Sequence, residues 1–238
     1  MTGTLSVIGV GPGDPELLTL KAVRLLKETS CICVPKGREE GSSLAMSIVE
    51  KAVDLTGKEI IEAHFPMRKT KLQGYETELD AKWQQTVEEV SSRLLTGIDT
   101  VFITIGDPTF YSTFFYLYDR LLERIPSLNV EFIPGISSIN AAASRAKLCL
   151  ALADEKIAVL PATYTEDLKQ TIEEFDTVVL MKVHRVFFMV RNLLKDIGLL
   201  DKAHYIVRAG MEDEKIFDDL RKVNEEDLNY FSLIVVKK

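Results

Sequence analysis

The chain has 238 residues, 46% hydrophobic and 27% charged, an ordinary globular composition long enough for one large or two small domains. Its net charge of −7 argues against a broad nucleic-acid surface, and no uninterrupted apolar run approaches the roughly 18 residues of a membrane span. The N-terminus lacks a basic-then-apolar leader, so a cytoplasmic protein without nucleic-acid or membrane partners is expected.

In chain order, short β-branched runs predict strands near 4–10, 31–34, 59–63, 99–105 and 129–133. Between them, helical spacing predicts helices over Pro15–Glu28, Ser42–Val53, Leu79–Leu95 and Tyr111–Arg124, with Gly57 and Gly97 as C-terminal stops. This alternation is the signature of βαβ units and a parallel sheet. After Pro134-Gly135 the pattern changes to a small-residue helix, Ser137–Ala146, followed by strands near 156–160, 177–181, 203–209, 215–218 and 230–236. Helices there are fewer, near 166–174 and 184–197, so a mixed sheet covered in part on one face is expected. The resulting reading is an α/β protein with a Rossmann-like N-terminal domain over 1–133 and a C-terminal mixed-sheet α/β domain over 134–238. The segments Arg38–Ser43 and Pro66–Gly74 read as exposed loops. Cys31 and Cys33 alternate on an apolar strand and Cys149 stands alone, while His64, His184 and His204 are scattered singly. They read as small hydrophobes and isolated imidazoles, and no metal site is expected from them.

Three strand ends carry Gly and Pro turns. The first, Leu5-Ser-Val-Ile-Gly-Val-Gly-Pro-Gly-Asp-Pro-Glu16, begins like a dinucleotide fingerprint, but Asp14 stands where a third glycine belongs and Pro12 and Pro15 remove amide donors. Asp14 reads as an N-cap with Pro15 at the first helical position, which occupies the place a pyrophosphate would take. The second, Thr104-Ile-Gly-Asp-Pro-Thr-Phe-Tyr111, repeats this logic: Asp107 either caps a helix or accepts hydrogen bonds from a ligand, and Gly106 permits close approach. The third, Phe132-Ile-Pro-Gly-Ile-Ser-Ser138, places Ser137 or Ser138 at a helix start. It lacks the second glycine of a serine-nucleophile elbow, which disfavours a hydrolase.

Taken together the three units resemble the tetrapyrrole methylase family, the class III S-adenosylmethionine-dependent methyltransferases. The resemblance runs over Ile8–Ala22, Gly106–Pro108, Pro134–Ala143, Leu180-Met181 and Val207-Arg-Ala-Gly210. Additional segments, Val34-Pro-Lys-Gly37, Ser42-Ser-Leu-Ala45, Phe65-Pro-Met67 and Asp107–Thr113, are most similar to the branch that methylates C20 of precorrin-2 or its cobalt complex in cobalamin synthesis. The resemblance implies two domains with S-adenosylmethionine in a cleft between them, release of S-adenosylhomocysteine, and a homodimer. It places cofactor contacts at Pro12, Gly106, Asp107, Phe110, Ser137, Ser138, Met181, Ala209 and Gly210.

A phosphate-free cofactor suits a loop with prolines and a carboxylate better than NAD does. The polycarboxylate substrate needs local cations, for which Lys36, Arg38, Arg68, Lys69, Lys71 and Arg208 are the candidates. A base that removes the C20 proton is not identified by any motif; Tyr111, Asp107, His204 and solvent are the alternatives. A methylase of another corrinoid position, a nicotinamide-dependent oxidoreductase and a non-catalytic binding module remain as other readings.

Overall fold

A computed structural model describes residues 1–37, 43–65, 75–163 and 167–238, of which 75–79 are described by backbone alone. The chain divides into two compact units, Met1–Ser137 and Ser138–Lys238. Among the described residues no helix is long and apolar enough to cross a membrane.

The first unit is built on a sheet whose inner strands are apolar on both faces, while its edge strand Glu59–His64 buries one face only. β1 (Leu5–Gly9), β2 (Cys31–Lys36), β3 (Glu59–His64), β4 (Thr100–Thr104) and β5 (Val130–Ile133) form a wholly parallel sheet in the order β3-β2-β4-β1-β5. Helices α1 (Leu20–Glu28) and α2 (Leu44–Ala52) cover one face, where Ala22, Leu26, Ile48 and Val49 meet Ile8, Val10, Ile32 and Ile103. Helices α3 (Tyr75–Leu95) and α4 (Phe115–Arg124) cover the other, where Val87, Leu94, Leu117 and Leu121 meet Leu5, Val7, Cys33 and Phe102. Neighbours in sequence thus face opposite layers, which is why β1, β2 and β4 read as nearly continuous apolar runs. Each fully buried Leu or Ile contributes about 1.5–3 kcal/mol of transfer free energy. Cys31 and Cys33 lie in this core as small hydrophobes, and burial raises both thiol pKa values.

The winding of the chain decides where a ligand can enter. β1 leads through α1 to β2, and its neighbour β4 leads through α4 to β5 on the opposite face. Adjacent strands whose connections diverge leave a crevice outside their carboxyl ends, the place where open α/β sheets bind ligands.

The second unit carries β6 (Ile157–Pro161), β7 (Thr177–Met181), β8 (Ala203–Val207), β9 (Lys215–Phe217) and β10 (Ser232–Lys237) in the order β6-β7-β10-β8-β9. Only β6 and β7 run parallel; the other pairs are antiparallel, so the sheet is mixed as expected. Helices α6 (Leu168–Glu174) and α7 (Phe187–Asp196) pack on one face through Ile172, Phe187, Val190 and Leu194. The expectation of one covered face needs correction. Helix α5 (Ser138–Arg145) lays Ile139, Ala141 and Ala142 against Val179, Ile206, Leu233 and Val235 on the other side.

Ten strands were expected and all form, but several helix starts differ. The helix expected over Pro15–Glu28 is broken into a 3-10 turn, Pro15–Leu17, and α1, whose own cap is Thr19 accepting from the Ala22 amide at 3.2 Å. α4 begins at Phe115, not at Tyr111, and α3 begins earlier than expected, at Tyr75. Gly97 does end α3: it adopts φ +86°, and the amides of Gly97 and Ile98 close onto the carbonyls of Leu94 and Arg93, each at 3.0 Å. Gly57 ends no helix, since α2 stops at Ala52 and Gly57 sits in the turn before β3.

Candidate active site

In the first unit, the three Gly and Pro loops meet at the carboxyl ends of β1, β4 and β5. Gly11 and Gly106 form an isolated antiparallel bridge, with the Gly106 amide donating to the Gly11 carbonyl at 2.8 Å and the Gly11 amide donating to Gly106 at 3.3 Å. A side chain on Gly135 would place its Cβ 2.2 Å from the Gly106 oxygen, and one on Gly9 would come within 2.5 Å of that same atom. Only glycine permits backbone to pass backbone this closely. Gly11 and Gly106 in addition adopt φ of +77° and +71°.

Asp107 locks the assembly. Its Oδ1 accepts from the amide and hydroxyl of Thr109 at 2.8 and 2.5 Å, and its Oδ2 accepts from the Gly135 amide at 3.1 Å. The expected helix cap is therefore an Asx turn instead, and one carboxylate joins the β4 loop to the β5 loop. With both oxygens engaged by three donors, Asp107 is poorly placed to take a proton from a substrate. Beyond it, Ser112 donates to Thr104 Oγ1 at 3.3 Å and accepts from the Phe114 amide at 3.2 Å. The loop is thus anchored on both sides of its tip, Phe110–Tyr111, whose rings meet edge to face at 4.9 Å. Tyr111 holds a left-handed φ of +54° and both rings are exposed. A bulky residue in that region stores roughly 1–2 kcal/mol of strain, a frequent property of functional loops.

The first loop was expected to be closed to phosphate by its own cap. Asp14 Oδ1 accepts from the Glu16 amide at 2.9 Å and caps the 3-10 turn, while Thr19 caps α1. Two of the amides at these helix starts, those of Glu16 and Ala22, are already taken by side chains and a carboxylate stands beside them, so the residues fit a nucleoside ligand without phosphate better than a dinucleotide.

In the second unit, the carboxyl ends of β6, β7 and β8 share one edge of the sheet with the start of β10, because Met181 pairs with both Pro161 and Leu233, and Val207 pairs with Ser232. Met181 and the loop Arg208-Ala209-Gly210 therefore stand on the same edge. Two further left-handed residues mark it, Lys182 at φ +56° and Arg208 at +52°. Ala209 is buried against Ile206 and Leu233, and the Gly210 amide donates to Glu214 at 2.7 Å. Ser137 and Ser138 lie where α5 begins.

The candidate cations and bases divide. Lys36 is bound to both oxygens of Glu62 at 3.0 Å, and Arg208 to Asp213 at 2.5 Å. Arg38, Arg68, Lys69 and Lys71 lie outside the described residues. His204 occupies the second position of β8, far from the Arg208–Gly210 end, and burial lowers its pKa despite the opposing charge of Asp218. His184, which reads from sequence only as an isolated imidazole, has its Nδ1 buried without a partner among the described residues and packs its ring on Tyr230 at 5.5 Å. Thr109 and Glu214 were missed. For Thr109 a signal existed, because Asp followed two residues later by Thr is an Asx-turn pattern as well as a cap.

The fold and these loops define a class. The model of the tetrapyrrole (corrin/porphyrin) methylases matches residues 4–223, and the chain belongs to that family. It is similar to the cobalt-precorrin-2 C(20)-methyltransferase of Salmonella typhimurium, 36% identical over 100% of this chain and 98% of the relative. A protein of Methanocaldococcus jannaschii named "Probable cobalt-precorrin-2 C(20)-methyltransferase" is 38% identical over 97% of this chain and 94% of its own. Among solved structures, the uroporphyrin-III C-methyl transferase of Thermus thermophilus complexed with S-adenyl homocysteine shares the fold, with a TM-score of 0.65 at 22% identity over 99% of this chain and 98% of that one.

Proposed function

We propose that this chain transfers a methyl group from S-adenosylmethionine to C20 of cobalt-precorrin-2, releasing S-adenosylhomocysteine and cobalt-precorrin-3, a step of cobalamin synthesis. The cofactor part of this reading is carried by the glycine floor of the first unit, which admits close backbone approach while its helix starts are already capped. The substrate part rests on the end-to-end similarity to the Salmonella and Methanocaldococcus relatives.

The residues that would hold the cofactor are Pro12, Gly106, Asp107, Phe110 and Ser137 of the first unit and Ser138, Met181, Ala209 and Gly210 of the second. When bound, S-adenosylmethionine supplies an electrophilic methyl group. Phe110 and Met181 contribute apolar surface, which favours loss of positive charge as transfer proceeds. Asp107 acts by fixing two loops, so that positioning supplies much of the rate enhancement. Lys36 and Arg208, with Arg38, Arg68, Lys69 and Lys71, would face the carboxylates of the substrate. Tyr111 is the side chain left to accept the C20 proton; an unchanged single-turnover rate in Tyr111→Phe assigns that proton to solvent. We further infer a homodimer, which sedimentation at twice the 26.8 kDa chain mass would support.

Anaerobic incubation with S-adenosylmethionine and either cobalt-loaded or metal-free precorrin-2, read by product mass, tests the proposal. The expected result is a gain of one methyl, faster on the cobalt form. No gain on either substrate overturns the assignment, and a preference for the metal-free form corrects the substrate.

A further inference from the structure

The loop from Arg208 to Glu214 joins β8 to β9 and is folded on itself more tightly than a hairpin of that length requires. The Met211 amide donates to the Arg208 carbonyl at 2.9 Å, and the Glu214 amide donates to Met211 at 3.1 Å. Those two turns leave the amide of Gly210, itself at φ +79°, directed inward. Its acceptor is Glu214 Oε2 at 2.7 Å. The Glu214 side chain is only 11% exposed, and Arg145 at the end of α5 donates its Nε–H to both carboxylate oxygens at 2.8 and 3.1 Å. A largely buried carboxylate is retained where it has donors to satisfy it, and here those donors come from a helix end and from a loop amide. Ala209, immediately before Gly210, packs into the same cluster as Ile139 and Ala142 of α5.

We infer that Glu214 is a positioning residue for the cofactor: by holding the Gly210 amide and tying it to Arg145, it sets the path of Ala209 and Gly210 before the ligand arrives. This rests on the reading of Ala209 and Gly210 as S-adenosylmethionine contacts. The bond is charge-assisted and partly buried, so it is stronger than an ordinary loop hydrogen bond. Preorganisation of this kind acts on binding, because a loop already in place loses no freedom when the ligand binds.

Two variants separate this role from a merely structural one. Glu214→Gln keeps an oxygen that can accept from Gly210, whereas Glu214→Met keeps the side-chain length and removes the acceptor. Calorimetry with S-adenosylhomocysteine is expected to give a Kd weakened by no more than about fivefold for Gln, which keeps the acceptor for Gly210 but turns its NH2 toward Arg145, and by about tenfold or more for Met. The KM for S-adenosylmethionine should follow the Kd, while kcat at saturating cofactor changes far less. Equal binding by the Met variant and the wild type overturns the role of Glu214 and leaves the cofactor reading intact. Loss in Gln as large as in Met also overturns it, since the acceptor would not be what matters. Absence of S-adenosylhomocysteine binding by the wild type removes the cofactor reading itself. If the Met variant does not fold, hydrogen exchange at the Gly210 amide of the unliganded wild type decides: slow exchange is expected, and exchange as fast as an open loop rejects the proposal.

Discussion

At the scale of single residues, Asp107 shows how one carboxylate can tie two loops together. Three donors converge on its two oxygens, two from Thr109 and one from Gly135. An asparagine has one acceptor oxygen, so in either flip its NH2 faces a donor. Asp107→Asn is therefore expected to cost about 1–3 kcal/mol, comparable to Asp107→Ala, even though it is nearly isosteric. The urea midpoint checks this, and a neutral Asn variant would mean that the clasp carries no weight. Gly135→Ala tests the same junction sterically. Its Cβ would meet the Gly106 oxygen at 2.2 Å and the Gly9 carbonyl carbon at 2.7 Å, and backbone cannot swing aside as a flexible side chain can. A loss of about 1–3 kcal/mol is expected, with weaker S-adenosylhomocysteine binding in calorimetry. Wild-type values for both would show that the three loops adjust freely. The Asp-Pro pattern was legible in the sequence, but its role was not. The Gly135 amide it holds lies 28 residues away, and spacing alone cannot report such a pair.

At the scale of elements, periodicity located the strands because each is a short apolar run packed on both sides or on alternating faces. The helix starts were less legible, since Asp-Pro serves equally well to cap an α-helix, to cap a 3-10 turn as at Asp14, and to close an Asx turn as at Asp107. Helix ends follow stricter geometry. α5 and α7 both close with the paired amide bonds that end α3, but α5 places Lys147 at φ +55° where α7 places Gly198 at +71°. A left-handed lysine costs roughly 1 kcal/mol relative to glycine at such a position. Lys147→Gly is thus expected to raise stability by about 0.5–1 kcal/mol in denaturant unfolding and to leave methyl transfer unchanged. A loss of stability would mean that the lysine side chain contributes more than its backbone costs. In the second unit Met181 and Arg208–Gly210 were reached through the family resemblance, but the turns beside them were not legible, for a related reason. The left-handed turns at Lys182 and Arg208 use residues that give no local warning, and the Glu214 carboxylate reaches Gly210 only because the loop between them folds back.

At the scale of the molecule, acidification acts on groups spread over both units, and all the depressed groups push in one direction. Burial lowers the pKa of His184, helped by the neighbouring Arg185, and burial lowers that of His204. Their unfolded value is 6.5, so the unfolded chain binds protons first as the pH falls, and stability is lost below that point. Carboxylates held by donors extend the decline to lower pH. Arg93 lowers Glu59, Lys237 lowers Glu155, Arg208 lowers Asp213, and Lys215 lowers Asp227. Against unfolded values of 4.5 for Glu and 3.8 for Asp, each contributes stability that is present above those values and disappears as the pH falls through the lower, folded ones. The urea midpoint is therefore expected to be level between about pH 7 and 8, to decline as the histidines titrate, and to fall more steeply below about pH 4.5. The two phases separate by mutation: His184→Gln with His204→Gln should flatten the curve between about pH 7 and 5.5 and leave the acid limb in place. A midpoint that rises on acidification through that window would show that the two imidazoles gain, instead of lose, from carrying charge in the folded protein.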